Sequence, residues 1–522
     1  MTPAPTTLPR TGADPGGWRA KRDDVVSAPA PSATAAIGPD GPGALFELLL
    51  VTLTGLADGH RARGGPLPSG GVRVVADQVR AALGGRALPE SGIGARDALA
   101  DLTRVLAYGA ADPAHPHTAA HLHCPPLAVA AAADLAVSAL NPSLDSWDQA
   151  PAATALEAEL VRELAALVGY DPELAAGSMT TGGTESNLMG LLLAREDALP
   201  GTAALGLAAA AAGGPVRILC SQDAHFSLAR NAGLLGLGEG AVLGIPVDEG
   251  HRMDPVALND ELNRMKTAGR RPIAIVATAG TTDFGSVDPL PRIAEIASAH
   301  GVWLHVDAAY GGGVLFSDRL APLLSGIGSA DSVGLDFHKF GWQPAAAGVF
   351  LARRAESFAP IERNVAYLNP VDDEEDGYPS LLGRSLRTTR RADAFKVAVT
   401  LRALGRKGLG ELVERCHDLA RYAAGAIEAH PALALEAPPV LSTVVFAYRG
   451  CPPAKADKVN AALRRRLLAE GRAVVGRTAV ASGTDGSGTV RLKLTLLNPA
   501  TTPTDIDTML AAITAAGEEV TC

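Results

Sequence analysis

The chain has 522 residues, 47% of them hydrophobic, 20% charged and only 4% aromatic, with a formal net charge of −10. That length exceeds what one ordinary core needs, so a large domain with one or two smaller ones is expected, and the composition is that of a globular α/β protein. The acidic balance, with both signs interspersed, excludes a polyanion-binding surface, so neither nucleic acid nor an anionic membrane is an expected partner.

Residues 1–40 are dominated by Pro, Ala, Gly and Thr and read as a disordered tail; they lack the basic start and apolar run of a secretory leader. The apolar run Ala44–Val51 is interrupted by Glu47 and is shorter than the roughly 20 residues that span a bilayer. It predicts a helix that is buried or packs in a dimer, and residues 41–150 are read as an N-terminal helical dimerisation segment. From 151 to 400, helical periodicities alternate with apolar runs at 216–220, 273–277, 302–306, 332–335 and 348–351. This alternation predicts βαβ units around a mostly parallel sheet, a large ligand-binding domain. Residues 401–522 carry a helix, a Pro438-Pro439 link, a strand at 442–448, a second helix and a strand at 490–496, a pattern for a small α+β domain. The five cysteines, Cys124, Cys220, Cys416, Cys451 and Cys522, are scattered and form no CxxC pair, which points to reduced thiols and a cytoplasmic setting.

Three constellations carry chemistry. Thr180-Thr181-Gly182-Gly183-Thr184-Glu185-Ser186-Asn187 reads as a glycine turn opening a helix, whose free N–H groups and Thr184 hydroxyl suit a single phosphate. No GK[ST] follows, so it is not a nucleotide loop, and no GxGxxG follows a strand, so a dinucleotide oxidoreductase is not expected. His305-Val306-Asp307-Ala308-Ala309 delivers a carboxylate on a buried strand, a costly placement unless it meets a cation. Asp336-Phe337-His338-Lys339 brings an amine to another strand end. An aldehyde, a phosphate and a protonated ring nitrogen are handles of pyridoxal 5′-phosphate, and the three segments offer a lysine, a helix N-terminus and an aspartate for them. Lys339 is therefore expected to carry that cofactor as a Schiff base. The His115, His117, His121, His123 and Cys124 cluster lacks the paired close spacings of structural zinc sites, and no metal is expected.

Over about residues 110–400 these segments resemble the group II pyridoxal phosphate-dependent amino-acid decarboxylases, of fold type I. The resemblance implies that His225, in Gln222-Asp223-Ala224-His225, stacks on the cofactor ring, and that Gly183 and Thr184 hold the phosphate with Ser332 and His338 nearby. It also implies that Thr281 contacts the cofactor or the substrate carboxylate and that Ala309 packs beneath the ring. Asp307 is expected to keep the ring nitrogen protonated as CO2 leaves, with His225 or a loop residue returning a proton. The resemblance also implies a homodimer with the active sites at the interface.

Within the family, Asn141–Gln149 and Ser385–Lys396 look most like the branch of L-2,4-diaminobutyrate and siderophore-type lysine decarboxylases. The expected substrate is thus an L-amino acid, with a diamino acid preferred and His123, Tyr378 and Arg390 as candidate substrate residues. The acidic run Asp372–Asp376 either favours a cationic side chain near the entrance or is a solvated face. Phe340–Ala347 departs from the family pattern. Oxidative deamination with decarboxylation, carbon–carbon cleavage on the same scaffold, and non-catalytic cofactor binding are the alternatives.

Overall fold

The computed structural model describes residues 34–210, 214–481 and 488–521, so most of the expected tail lies outside the described residues. The described residues open with three helices, α1 (Gly41–Arg63), α2 (Gly71–Ala82) and α3 (Ala95–Gly109), followed by a two-residue strand β1 (Thr118–Ala119), α4 (Ala128–Leu140) and α5 (Pro151–Val168). The apolar run at 44–51 is therefore one part of a longer element than its eight residues indicated. Among the described residues α1 is the one helix long and apolar enough to cross a membrane. Gly55 and Gly59 let α1 close onto Thr103 and Arg104 of α3, while Phe46, Leu50, Leu53 and Leu56 stay exposed.

A seven-stranded sheet follows, built from β2 (Ala176–Thr180), β3 (Val216–Ser221), β4 (Val242–Ile245), β5 (Arg271–Thr278), β6 (Trp303–Ala308), β7 (Ser332–Asp336) and β8 (Gly348–Ala352). Its order is β2-β8-β7-β6-β5-β3-β4. Only β8 runs against its neighbours, so the expected mostly parallel sheet is observed. β5 to β8 are almost wholly buried because helices cover both faces, which is why they read as continuous apolar runs. Strands β2 and β4 escape sequence reading: Ala-Gly-Ser-Met-Thr has no β-branched run, and β4 is a short, half-buried edge.

The remaining strands are β9 (Leu433–Leu435), β10 (Thr443–Tyr448), β11 (Val474–Ala481) and β12 (Gly488–Thr495), and they join β1 in a second sheet of order β1-β11-β12-β10-β9. Because β1 pairs in parallel with β11, the N-terminal segment is stitched into the C-terminal sheet. The helical run Ala394–Ala429 connects the two sheets, kinked at Gly405, where φ is 67°. Trp342, fully buried, donates its indole N–H to the Leu497 carbonyl at 2.8 Å, and Tyr310 bonds Ser442 and Thr443 at 2.9 Å each. The unusual Phe340–Ala347 stretch thus serves packing between layers.

Candidate active site

Parallel strands β5, β6 and β7 end on one edge of the large sheet, and the loops beyond open-sheet strand ends are where ligands bind. A cavity of about 480 Å3 lies there, walled by Thr184, Asn187, His225, Asp307, Ala309, Asp336, His338 and Lys339 among others.

One wall is the N-terminus of α6 (Gly183–Ala198). Glu185 accepts the Thr181 N–H at 2.7 Å and its hydroxyl at 2.8 Å, and is held in turn by Arg387 at 2.8 Å. This starts the helix without occupying the first-turn N–H groups, which have no intrahelical acceptor. Gly182 takes φ 143° and ψ −177°, a region essentially confined to glycine, and a Cβ there would stand 2.8 Å from His338 Cε1. The opposite wall is Asp307, 8% exposed. It accepts the Asn187 side-chain N–H at 2.7 Å and the Ala309 backbone N–H at 3.1 Å.

Lys339 follows β7 and pairs with Asp336 at 2.9 Å. His338 sits 3.6 Å from the same carboxylate and is tied to the Ala347 carbonyl at 3.0 Å. His225, beyond the end of β3, has Nδ1 2.9 Å from the Ser227 hydroxyl. Burial lowers its pKa, against the opposing pull of Asp307, and so favours the neutral ring. Burial pushes His305 further, down to about 4.

The residues present fit pyridoxal phosphate. The helix N-terminus, the glycine turn, the amine and the carboxylate share one cavity, and two buried wall oxygens, Thr278 Oγ1 and Asp336 Oδ1, lack a protein partner. The structure brings together Lys339, His225, Asp307, Gly183, Thr184, Ala309 and His338 from the sequence reading.

Five other expected residues are placed elsewhere. Ser332 opens β7 at the end away from the cavity, fully buried between Trp303 and His305 at 3.0 and 2.9 Å, so it is no phosphate neighbour. Thr281 turns inward, its hydroxyl accepting the Ser286 N–H at 3.1 Å, and Gly280 and Thr282 line the cavity instead. His121 rather than His123 reaches the wall, because the chain bends just after β1. Arg390 is 1% exposed and locked to Glu157, equally buried, which makes it structural. Tyr378 lies edge-on to Trp147 at 5.1 Å, outside the cavity of its own chain. The acidic run forms a short exposed helix, Val371–Glu375, that does not line the cavity. Among the described residues no cluster of three metal-binding side chains occurs.

Sequence reasoning missed Asp336, Asn187, His121 and Lys493 as wall residues. Asp336 and Asn187 stood inside the quoted motifs, and their polarity in apolar surroundings was the available signal. Lys493, paired with Asp283 at 2.7 Å, arrives from the second sheet and left no local signal.

Known proteins agree with this geometry. The pyridoxal-dependent decarboxylase conserved domain matches residues 81–449. An L-2,4-diaminobutyrate decarboxylase of Rhizobium meliloti (strain 1021) is 44% identical over 429 residues, 82% of this chain and 83% of that protein. One from Acinetobacter baumannii is 37% identical over 419 residues, 78% of this chain and 81% of that one. The solved glutamate decarboxylase domain of a diaminobutyrate-pyruvate transaminase and L-2,4-diaminobutyrate decarboxylase from Vibrio parahaemolyticus superposes with a TM-score of 0.82 at 32% identity. It covers 94% of this chain and 98% of that one. The expected fold type I architecture and dependence on pyridoxal phosphate are therefore both met, and the chain belongs to the pyridoxal-dependent decarboxylase family and is an amino-acid decarboxylase.

Proposed function

We propose that this enzyme decarboxylates L-2,4-diaminobutyrate, or a diamino acid of similar length, using Lys339, Asp307 and His225. The observation that carries the site assignment is the convergence of these three side chains and the α6 N-terminus on one cavity. The similarity to two proteins named for diaminobutyrate supports the substrate. When bound, pyridoxal phosphate supplies a cationic ring that takes up the electron pair released as CO2 leaves.

The chain's own residues divide the remaining work. First-turn N–H groups of Gly183 and Thr184 would hold the phosphate, and the Lys339 amine would hold the aldehyde end. Asp307 would accept the ring N–H, and its placement among apolar strands would strengthen that contact. Ala309 and His225 would bracket the ring, and His225 in its imidazolium form would return a proton to the substrate carbon, which the neutral ring is too weak an acid to do. Helices α1 and α3 expose Phe46, Leu50, Leu53, Leu56, Leu102 and Leu106, an apolar surface that a second copy would cover. The reading is of a cytoplasmic homodimer with an N-terminal helical segment, a large cofactor domain and a small C-terminal domain.

Incubation with L-2,4-diaminobutyrate, ornithine, lysine, glutamate and cysteine sulfinate, quantifying CO2, amine, aldehyde and peroxide together, tests the reading. Equal amounts of CO2 and 1,3-diaminopropane, with diaminobutyrate turned over fastest, are expected. Aldehyde and peroxide without amine would establish oxidative deamination instead, and faster turnover of glutamate or cysteine sulfinate would overturn the substrate.

A further inference from the structure

Behind the cavity wall lies a run of buried polar groups that ends at Asp307. Trp303, His305 and Asp307 are alternate residues of β6 and so share one face of the sheet. That face meets α6, and the close approach depends on Gly190, where a Cβ would stand 2.6 Å from His305 Nδ1. Asn187, one turn earlier on α6, is 1% exposed and lies between His305 and Asp307.

We propose that Asn187 is a positioning residue through which a one-way chain of hydrogen bonds, beginning at Trp303, fixes both the Asp307 carboxylate and the tautomer of His225. The proposal rests on the reading that Asp307 meets the cofactor's ring nitrogen and His225 covers the ring.

The direction follows from the two ends. An indole N–H can only donate and a carboxylate can only accept. Asp307 can only accept, so Asn187 turns its NH2 toward it and presents Oδ1 to His305 Nε2; with the hydrogen there, Nδ1 is bare, and the Ser332 hydroxyl, which accepts from Trp303 Nε1 at 3.0 Å, donates to it at 2.9 Å. His305 is buried and neutral, so its single hydrogen sits on Nε2 and points to Asn187 Oδ1 at 3.0 Å. The Asn187 amide then has both hydrogens to give. One goes to Asp307 Oδ2 at 2.7 Å and the other to Ser227 Oγ at 3.1 Å. A flipped amide would set its oxygen against the carboxylate, so the network admits one orientation.

The branch at Ser227 carries the order onward. The Ser227 backbone N–H points at His225 Nδ1 at 3.3 Å, so that nitrogen bears no hydrogen, and the Ser227 hydroxyl that accepts from Asn187 donates to it at 2.9 Å. His225 therefore bears its hydrogen on Nε2. With Oδ2 held by Asn187 and Oδ1 by Ala309 N–H, the Asp307 carboxylate cannot swing, and its remaining lone pairs stay available to the ring N–H. Aligned donors polarise one another, so the chain strengthens its last link.

The test uses the holoenzyme carrying 15N-labelled cofactor and 15N-histidine, with the His225 signals assigned by their loss in His225→Gln. Nitrogen NMR is expected to show a protonated ring nitrogen in the wild type and a His225 with hydrogen on Nε2. In Asn187→Ala the ring-nitrogen signal should move toward the unprotonated position and the His225 pair should become a tautomer mixture. The kcat should fall about 10- to 100-fold, the size typical of lost outer-shell support, with KM changed less. Ser332→Ala, remote from the cavity, should shift the same signals in the same sense by less, and it carries the test if Asn187→Ala does not fold. Asp307→Asn separates the two layers of the argument. If Asp307→Asn displaces the ring-nitrogen signal while both network variants leave ring and His225 signals unchanged, the network is overturned alone. If Asp307→Asn leaves that signal in place, the underlying reading of Asp307 fails and the proposal falls with it.

Discussion

Lys339 Nζ stands 2.9 Å from Oδ2 of Asp336, the last residue of the strand that delivers the lysine. The carboxylate side chain is 1% exposed and the lysine 18%, so removing the lysine strands a buried charge. Lys339→Ala should destabilise the cofactor-free protein by about 3 kcal/mol, the lower end of the range for broken buried pairs because the lysine is partly wet. Asp336→Asn in the same background should recover most of it. Denaturant midpoints read both effects, and equal midpoints for wild type and Lys339→Ala would contradict them. Borohydride treatment should fix the cofactor to the wild type and not to Lys339→Ala.

Asp307→Asn keeps the shape of the carboxylate and removes its charge. The phosphate and aldehyde contacts lie elsewhere in the cavity, so cofactor retention should persist while kcat falls by roughly 10²–10³-fold, as when a preorganised electrostatic partner is lost. Equilibrium dialysis and steady-state rates separate the two. Loss of the cofactor with unchanged kcat in the loaded fraction would reverse the assignment.

The pH profile of stability should carry the mark of His305, whose pKa burial lowers from its ordinary 6.5 to about 4. Between those values the unfolded chain holds a proton that the folded protein refuses, so this group makes stability fall as pH falls, by on the order of 3 kcal/mol over the window. Asp288 acts in the opposite sense. Burial raises it from 3.8 to about 6, so its contribution is lost as pH rises through that range. Comparing wild type with His305→Gln isolates the histidine: the variant's stability should decline less steeply from pH 6.5 to 4, and parallel profiles would refute the assignment.

Arg390 and Glu157 form an ion pair in which each side chain is 1% exposed. Arg390→Ala should therefore cost roughly 3–5 kcal/mol, read from the denaturant midpoint. Protein that remains folded should keep its KM, which a substrate ligand would not allow.

The exposed apolar residues of α1 and α3 predict the assembly. Leu53 and Leu106 are 61% and 70% exposed, and introducing Leu53→Glu with Leu106→Glu should convert a dimer to monomers by sedimentation, with loss of activity. A wild type that already sediments as a monomer, or that partitions into vesicles through α1, would exclude this use of the surface.

The amino-acid sequence by itself determined the central parts: five strands of the large sheet, the phosphate-suited turn at Gly182–Thr184, and the strand-end positions of Asp307 and Lys339. These are legible because they depend on local rules, on continuous apolar runs in strands buried on both faces, glycine at a special backbone angle and charge set in an apolar run. Tertiary structure alone decided the rest. Ser332 and Asp336 are four residues apart on one strand, yet only the strand's end reaches the cavity. Arg390, in the segment Ser385–Lys396, turned out to neutralise Glu157, and His121 displaced His123 where the chain bends after pairing with β11. The order Trp303, Ser332, His305, Asn187, Asp307 joins β6, β7 and α6, and its direction exists only once an indole donor and a carboxylate acceptor are set at its ends. No single segment encodes that, because a hydrogen bond's direction is settled by what every other group in the network has already given or accepted.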